Sequence, residues 1–115
     1  MRQTTTRIDV PIRARFFRGL ADLSRLAILE ALRNGERTSG DVATVSGLSP
    51  SNTSRHLACL KECGLVESRQ DWRCVYYRLA EGVAELLTTS DAFIERVADR
   101  IAACKETYRK DRADA

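Results

Sequence analysis

A chain of 115 residues with 43% hydrophobic content can bury one modest core, so a single domain spanning 1–115 is expected. No stretch approaches the roughly 18 to 20 consecutive apolar residues that a membrane span requires, and the start, Met1-Arg2-Gln3-Thr4-Thr5-Thr6, has no apolar secretory core behind it; a cytoplasmic protein with no membrane partner is expected. A net charge of +3 excludes a polyelectrolyte, so any affinity for phosphate must come from the placement of the 19 Lys and Arg residues.

In chain order, Pro11 suits a first helical turn, and Ile12, Phe16, Phe17 and Leu20 recur at helical spacing, which predicts a helix over Val10–Leu20. Asp22 or Ser24 can cap a second helix whose Leu26, Ile28, Leu29 and Leu32 share one side and which ends near Asn34-Gly35. Ser39 is expected to cap a short helix over residues 40–45 that stops at Ser46-Gly47. Ser49-Pro50 then opens a helix to Cys63, with Gly64 as its terminator. The two form a helix-turn-helix over about 39–63.

The β-prone runs 65–69 and 74–79 flank a polar tip, Gln70-Asp71-Trp72-Arg73, and read as a hairpin wing. From Gly82 the residues Val83, Leu86, Leu87, Phe93, Ile94, Val97 and Ile101 return to helical period to about 108, with an interruption expected at Thr88-Thr89-Ser90. The polar tail from Lys105 is expected to fray. The fold class is therefore mainly α with a small β-hairpin, a winged helix-turn-helix. Its long apolar-faced C-terminal helix suits burial against a second copy, which makes a homodimer the expected assembly.

Steps of about 100° along residues 51–60 put Thr53, Leu57 and Leu60 inward and Ser51, Arg55 and Ala58 roughly opposite. Small hydroxyl and amide side chains with one Arg at the front of such a helix suit the major groove of double-stranded operator DNA. The contact candidates are Ser49, Ser51, Asn52, Thr53, Arg55 and His56, with Arg69 and Arg73 on the wing for phosphate or minor groove.

Four cysteines in a cytosolic chain are reduced by default, which favours metal binding, redox chemistry or plain burial. Cys59 and Cys63 lie four apart on one helix, where Cβ atoms are about 5 to 6 Å apart. Thiolates sharing a metal with bonds near 2.3 Å sit roughly 4 Å apart, so the spacing can ligate. Both cysteines project beside the buried stripe, where they can also simply pack. A third donor is needed: Cys104 or Cys74, and spacing does not choose between them. Cys74 equally reads as an inward-facing strand residue beside Val75 and Tyr76.

The segments 19–29, 47–57 (Gly-Leu-Ser-Pro-Ser-Asn-Thr-Ser-Arg-His-Leu) and 64–66 (Gly-Leu-Val) together resemble the ArsR/SmtB repressor family over residues 17–81. The resemblance implies a symmetric dimer, joined through its N- and C-terminal helices, that binds its operator without effector and releases it when a metal or other signal binds. Residues 56–65 resemble the CmtR-like, cadmium- and lead-sensing branch, which implies Cys59, Cys63 and Cys104 as ligands, the last from the partner subunit. Residues 39–45 lack the cysteine pair that arsenic and cadmium sensors often carry there, and the last helix has no histidine for the family's zinc site.

Three thiolates select soft ions without ranking them; the resemblance to the CmtR-like branch implies Cd(II) or Pb(II) as inducer, with Zn(II), Hg(II) and As(III) as alternatives. A four-sulfur or mercury-type site through Cys74 stays open. A second reading keeps the repressor and makes the cysteines a redox switch. An enzyme is not expected, because the lone His56 has no acid-base constellation around it.

Overall fold

The computed structural model describes residues 7–104, in two compact units, one ending at Ala80 and one beginning at Glu81. The tail from Lys105, including the expected end of the last helix near 108, lies outside the described residues.

The first unit opens with α1, Val10–Leu20, whose Asp9 side chain accepts from the Ile12 amide at 3.1 Å. In α2, Leu23–Ala31, Asp22 caps the Arg25 amide at 2.9 Å and removes Ser24 from that role. Ile28, Leu29, Ala31 and Leu32 are buried, and α2 packs on both α3, Ser39–Ser46, and α4, Pro50–Glu62. With Val42, Ala43, Leu57, Leu60 and Val66 they form the core of this unit. Each large member contributes roughly 1.5 to 3 kcal/mol by leaving water.

The cap of α3 is Thr38, not the expected Ser39: its hydroxyl accepts from the Asp41 amide at 3.2 Å. Thr38 is held extended because it belongs to a short strand, β1, Arg37–Thr38, which pairs with Tyr76 and Tyr77 of a later strand. Gly47, at φ 76°, turns the chain from α3 to α4. At the far end of α4, Gly64 takes φ 84°, and its amide and that of Leu65 return to the Lys61 and Leu60 carbonyls at 3.0 and 2.9 Å. This left-handed glycine cap stops the helix at the expected place.

Strands β2, Val66–Asp71, and β3, Cys74–Leu79, form an antiparallel hairpin with Asp71 opposite Cys74, and the sheet order is β1-β3-β2. The turn is thus only Trp72-Arg73, tighter than the four-residue tip expected. Trp72 has φ 60°, a left-handed value uncommon outside glycine. Two helices joined by a glycine turn and followed by this hairpin make a winged helix-turn-helix.

The second unit is α5, Val83–Ala103, following Gly82 at φ 92°. It runs unbroken through Thr88-Thr89-Ser90, where the Ser90 hydroxyl donates back to the Leu87 carbonyl at 2.9 Å and does not cap a new helix. Phe93 and Ile94 are 59% and 45% exposed on it. No helix among the described residues is long and apolar enough to cross a membrane.

Candidate metal centre and nucleic-acid interface

One helix carries both candidate sites. At its front, the Ser49 hydroxyl accepts from the Asn52 amide at 3.2 Å, which fixes the first turn of α4 and leaves Ser49, Ser51, Asn52 and Arg55 exposed. Arg55 donates to the Asn52 side-chain oxygen at 2.9 Å, so these two hold each other on the outer face. His56 is half-buried at the edge of that face.

Thr53 departs from the expected contact set. It is 0% exposed, on the same side as Leu57 and Leu60, so it supports the core and offers nothing to DNA. The 100° projection already turned it inward, and the structure resolves the conflict in favour of the projection.

On the wing, Arg73 lies at the turn with its guanidinium 4.8 Å from the Trp72 ring centre, and Trp72 is 81% exposed. Arg69 is engaged within the protein. Its Nε and Nη2 donate to the two Glu36 carboxylate oxygens at 2.8 Å each, and it lies 3.6 Å from Asp71 and 4.7 Å above the Tyr76 ring. The Arg69 fork holds the Glu36 carboxyl below its ordinary pKa. Glu36 was missed in the sequence because it lies 33 residues from Arg69, and the antiparallel sheet alone brings them together.

At the back of α4, Cys59 is half-buried and Cys63 exposed, and none of the four cysteines is in a disulfide. Both thiols line one small cavity, together with Arg25, Leu60 and Leu65. Partial burial and then the neighbouring Cys59 thiol push the Cys63 thiol above its ordinary pKa, while the Arg25 guanidinium opposes the rise. Arg25 reaches this place because its Nη1 donates to the Gly19 carbonyl at 3.1 Å across the α1–α2 turn. No local pattern marked it beforehand.

Cys74 is exposed at the start of β3, not inward-facing as one reading had it, and the nearby Cys74 thiol is the main cause that raises the Tyr76 hydroxyl above its ordinary pKa. Cys104 follows α5 in the second unit. Among the described residues no group of three or more His, Cys, Asp or Glu lies close enough to hold a metal ion. Among the described residues of the first unit the candidate site is a thiol pair, whose soft donors suit a soft ion.

Residues 22–68, from the cap of α2 into β2, match the model of the bacterial regulatory protein arsR family. The homodimeric winged helix-turn-helix DNA-binding domain of Mb0332 from Mycobacterium bovis, described as a possible ArsR-family regulator, is 40% identical. The match covers 78% of this chain and 81% of that one, with a TM-score of 0.63. This chain belongs to the arsR family.

Among its curated relatives in the family, a probable mercury resistance operon repressor of Streptomyces lividans is 43% identical over 75 residues, 64% of this chain and 60% of the relative. The transcriptional regulator CmtR of Mycobacterium tuberculosis is 47% identical over 68 residues, 59% of this chain and 58% of the relative. The chain thus spans somewhat under two thirds of the length of these relatives. They are regulators of transcription, not enzymes.

Proposed function

We propose that the chain is a metal-responsive transcriptional repressor. Without metal it binds double-stranded operator DNA as a homodimer, and it lets go when a soft ion, Cd(II) or Pb(II), binds Cys59, Cys63 and Cys104. The single observation that carries this reading is the bipolar α4: Ser51, Asn52 and Arg55 exposed at its front and two thiols, one helical turn apart, lining one cavity at its back.

In the DNA-bound form, Ser49, Ser51, Asn52, Arg55 and His56 meet base edges and phosphates, and Arg73 meets the adjacent backbone or minor groove. Arg69, forked to Glu36, then serves mainly to hold the wing at its angle to β1, with phosphate contact through its outer edge. The dimer would cover Val10 and Phe17 of α1 and Phe93 and Ile94 of α5, all exposed here.

Cys59 and Cys63 supply two sulfurs, and Cys104 of the partner subunit is the third donor suggested by the CmtR resemblance. A bound ion supplies a tie between the end of α4 and the end of α5. Because that tie acts on the helix that reads DNA, metal and operator oppose each other. Reduced protein titrated with Cd(II), Pb(II), Zn(II) and As(III) under sulfur-to-metal ultraviolet absorption tests the ligand set. Cys59→Ser, Cys63→Ser and Cys104→Ser should each remove most of the Cd(II) band while Cys74→Ser keeps it, and a full band in Cys59→Ser would sink the site.

A second reading, Hg(II) as inducer, is favoured by the mercury repressor among the relatives and by a Cys59–Cys63 pair that no third donor joins among the described residues. It predicts an ion bound by Cys59 and Cys63 with Cys104 dispensable.

A further inference from the structure

The wing ends in a side chain that neither the fold nor the turn requires. Trp72, the sole tryptophan of the chain, is 81% exposed, so its ring buries almost nothing within the protein. It stands at φ 60° in a two-residue hairpin turn, a conformation that favours Gly, Asn or Asp and is unfavourable for a bulky side chain. The turn is nevertheless held in this form. Asp71 pairs with Cys74 across it, and the Gln70 side-chain amide donates to the Trp72 carbonyl at 3.2 Å. The Arg73 guanidinium lies 4.8 Å from the indole ring centre, while the Asp71 carboxylate lies 3.6 Å from Arg69, which leaves Arg73 to set the charge of the tip.

We propose that Trp72 is a wedge for the minor groove of double-stranded DNA: with α4 in the major groove, the indole enters the adjacent minor groove, pushes between two base pairs and bends the duplex. The inference rests on the reading of the chain as a DNA-binding repressor and adds to it a residue that recognises sequence by deformation. Hydrogen bonds and phosphate contacts, the task of Ser51, Asn52, Arg55 and Arg73, need no large apolar surface. A wedge does.

Apolar side chains inserted from the minor groove partly unstack a base step and kink the duplex toward the major groove. Arg73, beside the ring, is drawn to the negative potential of the groove and brings the indole with it. The unstacking is offset by the ring leaving water and stacking on a base. Because pyrimidine–purine steps unstack most readily, the base step under the wing becomes part of the recognised sequence although no hydrogen bond reads it.

The test uses a duplex that the wild-type protein selects from a pool of random sequences. Saturation with this duplex should quench the Trp72 emission and shield it from acrylamide, and dyes on the two duplex ends should report a bend of about 20 to 90°. Glycine suits the left-handed turn better than tryptophan, so Trp72→Gly should keep or raise the stability of the fold. That variant should nevertheless bind about tenfold more weakly and bend the duplex less, with the wild-type slope of log affinity against log salt, since no charge is lost. Replacing a pyrimidine–purine step under the wing by a stiff A-tract step should weaken wild type and not Trp72→Gly. An indole still open to acrylamide on bound DNA, a Trp72→Gly variant that binds and bends as wild type does, or a reduced salt slope in that variant would each overturn the wedge and leave the repressor reading standing. A pool from which no sequence is selected would remove the repressor reading and the wedge with it.

Discussion

The Thr53 hydroxyl is buried with no acceptor among the described residues, and an unpaired buried hydroxyl costs about 1 to 3 kcal/mol of desolvation. Thr53→Val should therefore raise stability by about 1 kcal/mol in chemical denaturation and leave operator affinity unchanged; a loss of DNA binding without unfolding would restore Thr53 to the contact surface. Leu57→Ala, fully buried one turn along, should cost about 2 to 5 kcal/mol.

Glu36 provides a pH test at the same scale. Its carboxyl is lowered in the folded protein by Arg69, so the pair stabilises the fold above the ordinary glutamate pKa, and this contribution is lost as pH falls through the lowered folded value. Nuclear magnetic resonance titration should find Glu36 below its ordinary range in wild type and back within it in Arg69→Ala, and an unchanged Glu36 in that variant would contradict the fork.

Residue roles were legible only where neighbours in sequence settle them. The inward stripe Thr53-Leu57-Leu60 and the adjacency of Cys59 and Cys63 follow from helical spacing alone. The partner of Arg69, the approach of Arg25 to the thiols and the exposure of Cys74 depend on how separate elements meet, which no local pattern encodes.

Among elements, α1, α3 and α4 were readable to within a residue or two because their ends carry chemistry: Asp9 and Pro11 open α1, Ser49 and Pro50 open α4, and Gly47 and Gly64 close α3 and α4 in left-handed conformations, whereas α2 ends at Ala31, short of the expected Asn34-Gly35. Strand β1 was not readable, since two residues become a strand only by pairing with Tyr76 and Tyr77 almost forty positions on. That hidden strand also moved the α3 cap from Ser39 to Thr38. In α5, Ser90 turns its hydroxyl back to the Leu87 carbonyl and the helix runs on, though the sequence there was equally compatible with a break.

Wing and recognition helix should behave differently when truncated. Arg73→Ala at the wing turn should weaken binding to all sequences alike and reduce the slope of log affinity against log salt by about 1. Arg55→Ala on α4 should cost about 1 to 3 kcal/mol on the operator and relax base preference. Fluorescence anisotropy over a salt series on operator and random duplexes checks both, and a sequence-dependent loss in Arg73→Ala would reverse the division of labour.

At the scale of the whole molecule, the exposed Phe93 and Ile94 on α5 are expected to lie between two copies. Phe93→Glu should give a monomer in analytical ultracentrifugation and lose high-affinity operator binding, since one winged domain then holds one half-site alone; a stable dimer would place the interface elsewhere. Dimerisation also bears on the ligand set, since among the described residues no group of three donors is assembled.

The central claim is that the two ends of α4 are energetically coupled, and the most direct measurement is operator affinity of the reduced protein with and without saturating Cd(II), in wild type and in Cys63→Ser. Allosteric coupling of about 1 to 3 kcal/mol lowers affinity roughly 5- to 150-fold. A drop in that range for wild type and none for Cys63→Ser is the expected result, whereas equal operator affinity with and without metal in wild type, or the same drop in Cys63→Ser, would contradict it.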